Sequence, residues 1–325
     1  MKEGKKTYRQ EKSACRALLI DILKTHELIA PVKDDVVRFE SVTAVDKITF
    51  DSPSFFPIKD FFFPKEEILF TFEGNDIQVP EIKVMKRVFF GLRRCDLNGI
   101  KRQDTALLGN IKEPYYQARR KQSTLIGFHC EKAPLEYCFC ESLEKEEFFD
   151  LMYYDRGDHY LIEIGSDVGK KLIKKYYDHF TECQIEITPE EKIIEGADRL
   201  KKKDISPLYD HKNWKKGVEL CLSCAACTSL CPTCFCFEIN DELKMSDPNS
   251  GFRKRKWSSC QLQSFSRVAG NFIFRSDREE RFKHRIYHQL QYFKERFGVN
   301  LCVGCGRCIQ GCPTRIDFIK LINEM

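Results

Sequence analysis

Cysteine is the residue type most suited to chemistry in this chain, because it recurs at one spacing in two places. The stretch CLSCAACTSLCP runs from Cys221 to Pro232, and CVGCGRCIQGCP runs from Cys302 to Pro313. Both follow the spacing C-x2-C-x2-C-x3-C, and proline follows the last cysteine. In this pattern three thiolates on one tight loop hold three corners of an iron–sulfur cube, and the fourth cysteine binds the other cluster of a pair. The repeat therefore predicts two [4Fe-4S] clusters.

The same spacing predicts which cysteines each cluster takes. Small residues inside the loops let backbone amides approach the sulfurs, and the two prolines turn the chain away from the site. The first predicted cluster takes Cys221, Cys224, Cys227 and Cys312, and the second takes Cys302, Cys305, Cys308 and Cys231.

Structural zinc is the alternative for a cysteine-rich segment. Its ligands usually come as two C-x2-C pairs that are separated by about a dozen residues or more. Here three cysteines fall within seven residues of each motif, which crowds a single ion. The spacing therefore favours iron–sulfur clusters over zinc.

Length and composition indicate an ordinary globular protein. The chain has 325 residues, of which 42% are hydrophobic and 32% charged, and this is enough for two domains. No apolar run approaches the roughly 18 residues of a membrane span, and the basic N-terminal stretch lacks the apolar core of a signal peptide. We therefore expect a cytoplasmic protein whose 17 cysteines stay reduced, with the clustered ones binding metal.

Basic charge is concentrated where the cysteines are. Residues 206–325 hold 11 of the 17 cysteines and carry 19 Lys and Arg against 12 Asp and Glu. Residues 1–205 carry 35 against 37. Because a cluster with four thiolates is anionic, nearby cations are expected to offset its charge and tune its potential.

The first part of the chain predicts an α/β or α+β domain over residues 1–205. It is followed by a charged, proline-containing segment at 196–214 that predicts a boundary. Apolar runs predict strands at 87–92, 123–128 and 159–165, and helical periodicity predicts helices at 15–26 and 168–180.

The second part, residues 206–325, has a helical pattern. Ser276 and Glu279 have the spacing of a capping box, apolar residues then recur every three or four positions, and Gly298 lies just past the end. This predicted helix leads directly into Cys302.

The cysteines outside the repeat match a known family. The segments RCDLNGIKRQD (94–104), CFC (138–140), CPTCFC (231–236), RKRKWSSC (253–260) and RIYHQLQYFKERFGVNLCVGCGRC (285–308) occur in the family's order. The chain thus resembles the iron–sulfur subunit of anaerobic sulfite reductase, and is similar to the beta subunit of cytosolic NiFe (sulf)hydrogenases. The resemblance covers about residues 50–320.

This resemblance implies more than the repeat does. It implies an α-helical dicluster ferredoxin domain at 206–325, and a third [4Fe-4S] cluster in the N-terminal domain, although reduced cysteine is also a common core residue. The chain departs from its relatives after CFC, where it reads ESLEKEEFF instead of a glycine-rich turn, and at 269–274, where it reads AGNFIF. The implied ligands of the third cluster are Cys95, Cys130, Cys138 and Cys140.

The sequence shows cluster ligands and no recognisable nucleotide fingerprint, flavin motif or nucleophile with its base. We therefore expect a non-catalytic electron-transfer subunit. The resemblance implies a position between a flavin-containing subunit, which takes electrons from NAD(P)H or ferredoxin, and a catalytic subunit with sirohaem or NiFe. Because RCDLN is near the R-A-C-D-I-N segment of the sulfite reductase protein, that assignment is favoured. The alternative is the beta subunit of a cytosolic NiFe hydrogenase or sulfhydrogenase, or a subunit of another multi-subunit redox complex.

Two features leave other functions open. Cys234, Cys236 and Cys260 either pack beside the clusters or hold an open-site cluster, which would make the chain an enzyme by itself. The basic stretch RKRKW (253–257) either forms a basic face that offsets cluster charge or docks a partner, or it contacts nucleic acid. We expect the first of each pair, and neither a membrane nor a nucleic-acid partner.

Overall fold

The computed structural model describes residues 7–82, 84–201 and 204–325. Within these residues, twelve strands form two sheets. The strands are β1 (Thr7–Glu11), β2 (Glu27–Lys33), β3 (Val37–Ser41), β4 (Glu66–Glu73), β5 (Asp76–Gln78), β6 (Arg87–Leu92), β7 (Ser123–Phe128), β8 (Leu151–Asp155), β9 (His159–Ile164), β10 (Thr181–Cys183), β11 (Phe237–Lys244) and β12 (Asp247–Trp257). The α-helices are α1 (Lys12–Leu23), α2 (Arg94–Leu107), α3 (Pro114–Lys121), α4 (Asp167–Lys175), α5 (Trp214–Leu220), α6 (Ala226–Ser229), α7 (Arg278–Tyr287), α8 (Phe293–Phe297), α9 (Arg307–Gln310) and α10 (Phe318–Asn323).

The larger sheet has a parallel centre and antiparallel edges. Its strand order in the described residues is β10-β1-β9-β8-β7-β6-β2-β3, and the pairs β2–β6, β6–β7 and β7–β8 are parallel. Parallel strands are buried on both faces, so they appear in the sequence as nearly continuous apolar runs. The strands predicted at 87–92 and 123–128 are confirmed with the same bounds as β6 and β7.

Helices cover both faces of this sheet. Because side chains alternate along a strand, Phe90 of β6 faces the same core as Leu18 of α1. Phe89 faces the opposite core, where it lies with Leu97 of α2 and Tyr116 of α3. The helix α2 therefore lies against the sheet with its first turn directly after β6.

The other predicted elements of the N-terminal part are present with shifted ends. The helix predicted at 15–26 occupies Lys12–Leu23, and the strand predicted at 159–165 ends at Ile164. The helix predicted at 168–180 ends at Lys175, and a separate 3-10 turn follows at Tyr177–His179. The helix α4 begins at Asp167, one residue earlier than predicted, because the Ser166 hydroxyl caps it. This hydroxyl accepts hydrogen bonds from the N–H groups of Val168 and Gly169, at 3.1 and 3.2 Å.

The smaller sheet was not predicted, and it corrects the expectation of a purely helical second part. Its order is β11-β12-β4-β5, with antiparallel pairs throughout. The basic stretch 253–257 lies in β12, where the Lys254 ammonium is 2.6 Å from Glu242 and 3.2 Å from Glu66. Arg255 forms ion pairs with Glu67 and with Glu113. These basic side chains are therefore paired with acidic groups of neighbouring segments.

The N-terminal mixed α/β sheet domain is followed by a region that contains the repeated cysteine motifs. The small sheet joins strands from both sides of the predicted boundary between residues 205 and 206, since β4 and β5 precede it and β11 and β12 follow it. The division 1–205 and 206–325 stays a prediction.

The long helical segment before Cys302 is present, with a different cap. The capping residue is Asp277 rather than Ser276: its carboxylate accepts from the Glu279 N–H at 2.6 Å, and Glu280 accepts from the Asp277 N–H at 3.4 Å. A π-helical turn at His288–Tyr292 joins α7 to α8. Gly298 ends the segment with a φ of +77°, as the sequence predicts.

Candidate iron–sulfur centres

The two cysteine motifs fold into loops with matching backbone conformation. In the first loop, Ser223 and Ala225 have φ values of 51° and 65°, and the equivalent Gly304 and Gly306 have 68° and 73°. In each loop an amide two residues on donates to the first cysteine, Ser223 N–H to Cys221 Sγ and Gly304 N–H to Cys302 Sγ, both at 3.4 Å. Helices α6 and α9 then begin at equivalent positions. The repeat in the sequence is therefore a repeat in structure.

All eight motif cysteines line one cavity, which we call the motif cavity. It has about 950 Å³ of non-atom space, including space open to solvent, and its walls include Phe139, Ile286 and Phe318. No group of three or more His, Cys, Asp or Glu in the described ranges of the chain is placed to hold a single metal ion. The lining cysteines are Cys221, Cys224, Cys227, Cys231, Cys302, Cys305, Cys308 and Cys312.

The thiols of the motif cavity are held in an apolar environment. Burial raises the pKa of Cys227 to about 11 and that of Cys302 to about 12, and charge on Cys231 acts on Cys302 in the same direction. Cys231 belongs to the first motif, and it influences the pKa of Cys305 and Cys308 of the second in the same way. This proximity is what an exchange of the fourth cysteine between the loops requires, although the assignment of each thiol to one cluster stays a prediction.

Two buried cations lie beside the motif cavity. Lys59, only 3% exposed, donates to the carbonyl oxygens of Thr228 and Cys234 at 3.1 and 3.3 Å, and its ammonium is 4.0 Å from the centroid of the Trp257 ring. Arg285 of α7 is buried and donates to the Cys227 carbonyl at 3.4 Å. Among the described residues, neither cation forms an ion pair with a carboxylate. Burial lowers the pKa of Lys59, and charge on Cys234 and Cys231 opposes that shift.

These cations are the local counter-charge that the sequence predicts, but the sequence singles out neither of them. The helical pattern favours a solvated face for Arg285, and the structure buries it instead. The one feature of the sequence that could have indicated this role is that Arg285 lies on the helical segment that leads into the second motif. A buried cation without a carboxylate needs another anion, and an anionic cluster in the motif cavity would provide one.

The four N-terminal cysteines also come together, around what we call the strand-end cavity. Cys95 lies in the first turn of α2 after β6, and Cys130 lies two residues after β7. Because β6 and β7 are parallel neighbours, their carboxyl ends meet at one edge of the sheet. The cavity has about 390 Å³ of non-atom space, including space open to solvent. Its lining includes Cys95, Cys130, Cys138, Cys140, Cys305, Arg93, Arg94 and Arg307.

Two of the three arginines that line the strand-end cavity have anionic partners, unlike the cations of the motif cavity, whereas Arg93 donates to the carbonyl oxygens of His129 and Phe50 at 3.3 and 2.7 Å. Arg307 is 1% exposed, and its guanidinium lies 2.8 Å from the fully buried carboxylate of Asp96 in an ion pair. It also donates to the Ser54 carbonyl at 2.7 Å and reaches Cys95 Sγ at 4.0 Å. Arg94 pairs with Glu147. Burial raises the pKa of Cys138 to about 11, so metal binding would have to displace its proton.

The two cavities share a wall. Cys305 lines both of them, and the Phe139 N–H donates to the Gly304 carbonyl at 2.8 Å. A Cβ atom on Gly304 would lie 2.5 Å from the backbone nitrogen of Cys140, and one on Gly306 would lie 2.5 Å from the carbonyl oxygen of Tyr137. The glycines of the second motif thus permit direct backbone contact with the loop that carries Cys138 and Cys140.

The remaining cysteines of the second part lie near the motif cavity without lining it. The Cys234 thiol donates a hydrogen bond to Cys231, which lowers the pKa of Cys231. Cys236 and Cys260 are neighbours where the hairpin β11–β12 begins and ends. In the described residues, no helix combines the length and the apolar character needed to cross a membrane.

The residues present fit iron–sulfur clusters in the motif cavity. Two repeated loops bring eight thiols to an apolar space, and one backbone amide in each loop donates to a sulfur. Buried cations nearby can offset the negative charge of a cluster. Each of these features is one that ligand sets for anionic clusters require.

Comparison with known proteins agrees with this geometry. Residues 220–316 match the model of the 4Fe-4S dicluster domain, a family that carries two [4Fe-4S] clusters. The chain is 34% identical over 310 residues to sulfhydrogenase 2 subunit beta of Pyrococcus furiosus, and the match covers 91% of each chain. It is 25% identical over 175 residues to the F420-dependent formate dehydrogenase subunit beta of Methanocaldococcus jannaschii, which is 50% of this chain and 38% of that protein. These matches favour the hydrogenase alternative over the sulfite reductase assignment.

Proposed function

Because the chain belongs to the sulfhydrogenase beta-subunit family, we propose that it is the electron-transfer subunit of a multi-subunit hydrogenase complex. Its partners would be a flavin-containing subunit that takes electrons from NAD(P)H or ferredoxin, and a NiFe catalytic subunit. A sirohaem partner, which the sequence resemblance favoured, is not proposed, since the match along the whole chain is to a sulfhydrogenase subunit. The observation that carries the proposal is the shared wall at Cys305, which places the two thiol-lined cavities side by side. We call the clusters that these cavities would hold the iron–sulfur row.

The motif cavity would hold two [4Fe-4S] clusters, with the cysteines assigned as the spacing predicts. Such clusters exchange single electrons. The chain's own residues hold them through thiolates, exclude water with apolar walls, and offset their charge with Lys59 and Arg285. The environment therefore serves electron transfer rather than bond chemistry.

We propose a third [4Fe-4S] cluster in the strand-end cavity, held by Cys95, Cys130, Cys138 and Cys140. Three observations support it: the four thiols surround one space, three arginines line that space, and Cys305 separates it from the motif cavity. Since electrons pass between clusters that are close together, this site would extend the row beyond the second motif. The altered turn after Cys140 does not prevent the cysteines from meeting.

One end of the row faces outward. Cys224 is the exposed cysteine of the motif cavity, and the neighbouring Leu222 is 63% exposed. A cluster held in part by an exposed thiol lies near the surface, so a redox partner can approach it closely at this edge. We propose that a partner subunit docks at this edge.

Anaerobic purification of the intact complex tests the proposal. Three clusters predict about twelve iron atoms per chain and two predict about eight, with paramagnetic signals after reduction. NiFe and flavin subunits should co-purify. Zinc in place of iron, a co-purifying sirohaem protein, or substrate turnover by the isolated chain would each contradict it.

The docking edge has its own matched test. Leu222→Ser should slow electron transfer from the partner, and its iron content is measured alongside because Leu222 also lines the motif cavity. Leu243→Ser is the control, because Leu243 is similarly exposed, at 57%, but lies on the hairpin β11–β12. Equal rates for both variants would show that the partner approaches elsewhere.

A further inference from the structure

Cys236 and Cys260 form a pair that neither cavity uses. Cys236 immediately precedes β11, and Cys260 lies three residues past the end of β12. The ladder pairs Phe237 with Trp257, and the Ser258 N–H donates to the Cys236 carbonyl at 3.0 Å. On an antiparallel ladder, the residue two positions past the one directly opposite lies on the same face, as a diagonal neighbour. The hairpin therefore brings Cys260 next to Cys236.

The two cysteines are close enough to influence each other's protonation. The thiol and the backbone N–H of Cys260 both favour the thiolate of Cys236 and so lower its pKa. Both cysteines are free in the structure. A close pair of free thiols is the arrangement from which a disulfide forms.

The surroundings favour thiol chemistry at Cys236. Its side chain is half-buried, whereas Cys260 is 4% exposed. The hydrogen bond from the Cys260 thiol lowers the pKa of Cys236 to about 7, and charge on Arg285 and Lys59 acts in the same direction. An accessible thiolate beside a buried thiol is the usual arrangement of an attacking and a resolving cysteine.

The pair also lies next to the predicted electron path. Gln261 follows Cys260 directly, and its side-chain oxygen accepts from Cys221 Sγ at 3.8 Å. On the other side of Cys260, the Ser259 hydroxyl accepts from the Thr228 hydroxyl at 2.8 Å, one residue after Cys227. The residues on either side of Cys260 therefore contact Cys221 and the residue next to Cys227, and Cys221 and Cys227 are both predicted ligands of the first cluster.

We propose that Cys236 and Cys260 are a dithiol–disulfide couple that exchanges two electrons with the iron–sulfur row. In the reducing direction, the sulfur–sulfur bond breaks, takes up two electrons supplied one at a time by reduced clusters, and binds two protons from solvent to give two thiols. In the oxidising direction, the Cys236 thiolate attacks a small-molecule disulfide and releases its first thiol. Cys260 then attacks Cys236 Sγ of the mixed disulfide, which forms the Cys236–Cys260 bond and releases the second thiol. The reducing direction rests on the proposed electron-transfer function, whereas the oxidising direction does not.

The first experiment tests the couple without involving the clusters. The complex is equilibrated anaerobically in buffers of oxidised and reduced glutathione, alkylated under denaturing conditions and mapped by mass spectrometry. The linked Cys236–Cys260 peptide should replace two alkylated thiols as the buffer becomes more oxidising. Cys236→Ser and Cys260→Ser should each abolish it, and Cys183→Ser, at an isolated cysteine, should leave it unchanged.

The second experiment tests the link to the clusters. Complex carrying the disulfide is freed of glutathione, reduced by a photochemical one-electron donor during a light pulse, and then followed in the dark. Cluster absorbance should recover spontaneously, with two thiols appearing per chain, and neither serine variant should show this recovery. Stable reduced clusters beside an intact disulfide would overturn the link to the row.

Three results would overturn the couple itself, whatever the fate of the proposed function. One is that both cysteines remain alkylated as separate thiols in every buffer. Another is that the linked peptide joins Cys236 to a different cysteine. The third is that native alkylation fails at both cysteines at all potentials while each serine variant loses iron, since they would then be cluster ligands.

Discussion

The motif cavity and the strand-end cavity both gather several thiols around one space, but the chain brings those thiols together in different ways. Each loop of the motif cavity brings its first three thiols from within seven residues, and a nearly identical loop supplies the rest. The strand-end cavity gathers Cys95 and Cys140 across 45 positions, and it does so through the carboxyl ends of β6 and β7. Local backbone geometry positions the ligands in the first case, and the tertiary fold positions them in the second.

Their counter-charges differ as well. Lys59 and Arg285 beside the motif cavity have no carboxylate partner among the described residues, whereas Arg307 and Arg94 of the strand-end cavity pair with Asp96 and Glu147. The motif cavity therefore offers uncompensated positive charge to whatever it binds.

The largest effect is expected where the two cavities meet. Gly304→Ala should prevent the second motif from packing against residues 137–140, because its Cβ would lie 2.5 Å from the Cys140 nitrogen, and φ is +68°. Backbone strain and overpacking together should cost roughly 4 kcal/mol of folding free energy. Iron content should fall in both cavities.

Gly298→Ala is the matched control for this variant. Gly298 has a similar φ of +77°, but nothing lies within 4 Å of its added Cβ. Only the backbone strain of about 1 kcal/mol remains. Thermal unfolding and iron analysis of both proteins measure the difference, and equal losses would show that the shared wall is not what Gly304 provides.

The next largest effect separates the cavities. Cys308→Ser should remove one cluster from the motif cavity, and Cys138→Ser should remove one from the strand-end cavity, so that iron falls by about four atoms in each. The paramagnetic signals lost should differ between the two variants. Cys183→Ser should retain all iron. If Cys138→Ser also keeps its iron, the strand-end cavity holds no cluster.

The difference between the cavities explains how far the sequence could predict the molecule. Spacing alone identified all eight cysteines that line the motif cavity, since the loop geometry is local. The number of residues between Cys95 and Cys130 does not predict that they lie close together unless the order of the strands is known. Only the family resemblance therefore grouped them with Cys138 and Cys140. The apolar runs of β6 and β7 were predictable because buried parallel strands show them directly.

Features that depend on tertiary pairing were missed. The hairpin β11–β12 is rich in charge, and its strands become evident only through partners such as Glu67, which pairs with Arg255. The burial of Arg285 was not predicted, because cationic side chains are usually exposed and their burial becomes favourable only beside an anionic site. The predicted cap of α7 is one residue early, at Ser276, because Ser and Asp are equally good caps.

A smaller effect is expected from breaking the compensated charge of the strand-end cavity. Asp96→Asn leaves Arg307 buried without its anion, which should cost roughly 3 kcal/mol of stability in iron-free protein. The loss should be smaller in the iron-loaded protein, because an anionic cluster would replace part of the missing charge. Denaturant unfolding of both forms measures this.

Asp241→Asn is the control for that experiment. Its partner Arg253 lies 2.7 Å away, but both side chains are 41% exposed, and exposed ion pairs contribute little. No change with iron loading is expected there. An Asp96→Asn penalty that is equal with and without iron would argue against a charged group in the strand-end cavity.

The smallest effect concerns the uncompensated charge of the motif cavity. Arg285→Gln removes one positive charge from beside the cluster ligands, which makes the reduced, more negative state less favourable. At an effective dielectric constant of about 20, one charge several ångströms away changes a midpoint potential by on the order of 50–100 mV. Signals assigned to the motif cavity by Cys308→Ser should move to lower potential, and the signal assigned by Cys138→Ser should stay.

Lys283→Gln on the same helix is the control, because Lys283 is already paired with Glu279 at 2.7 Å. If the strand-end signal moves as far as the motif signals, then Arg285 acts on the whole molecule and the contrast between the two cavities is not electrostatic.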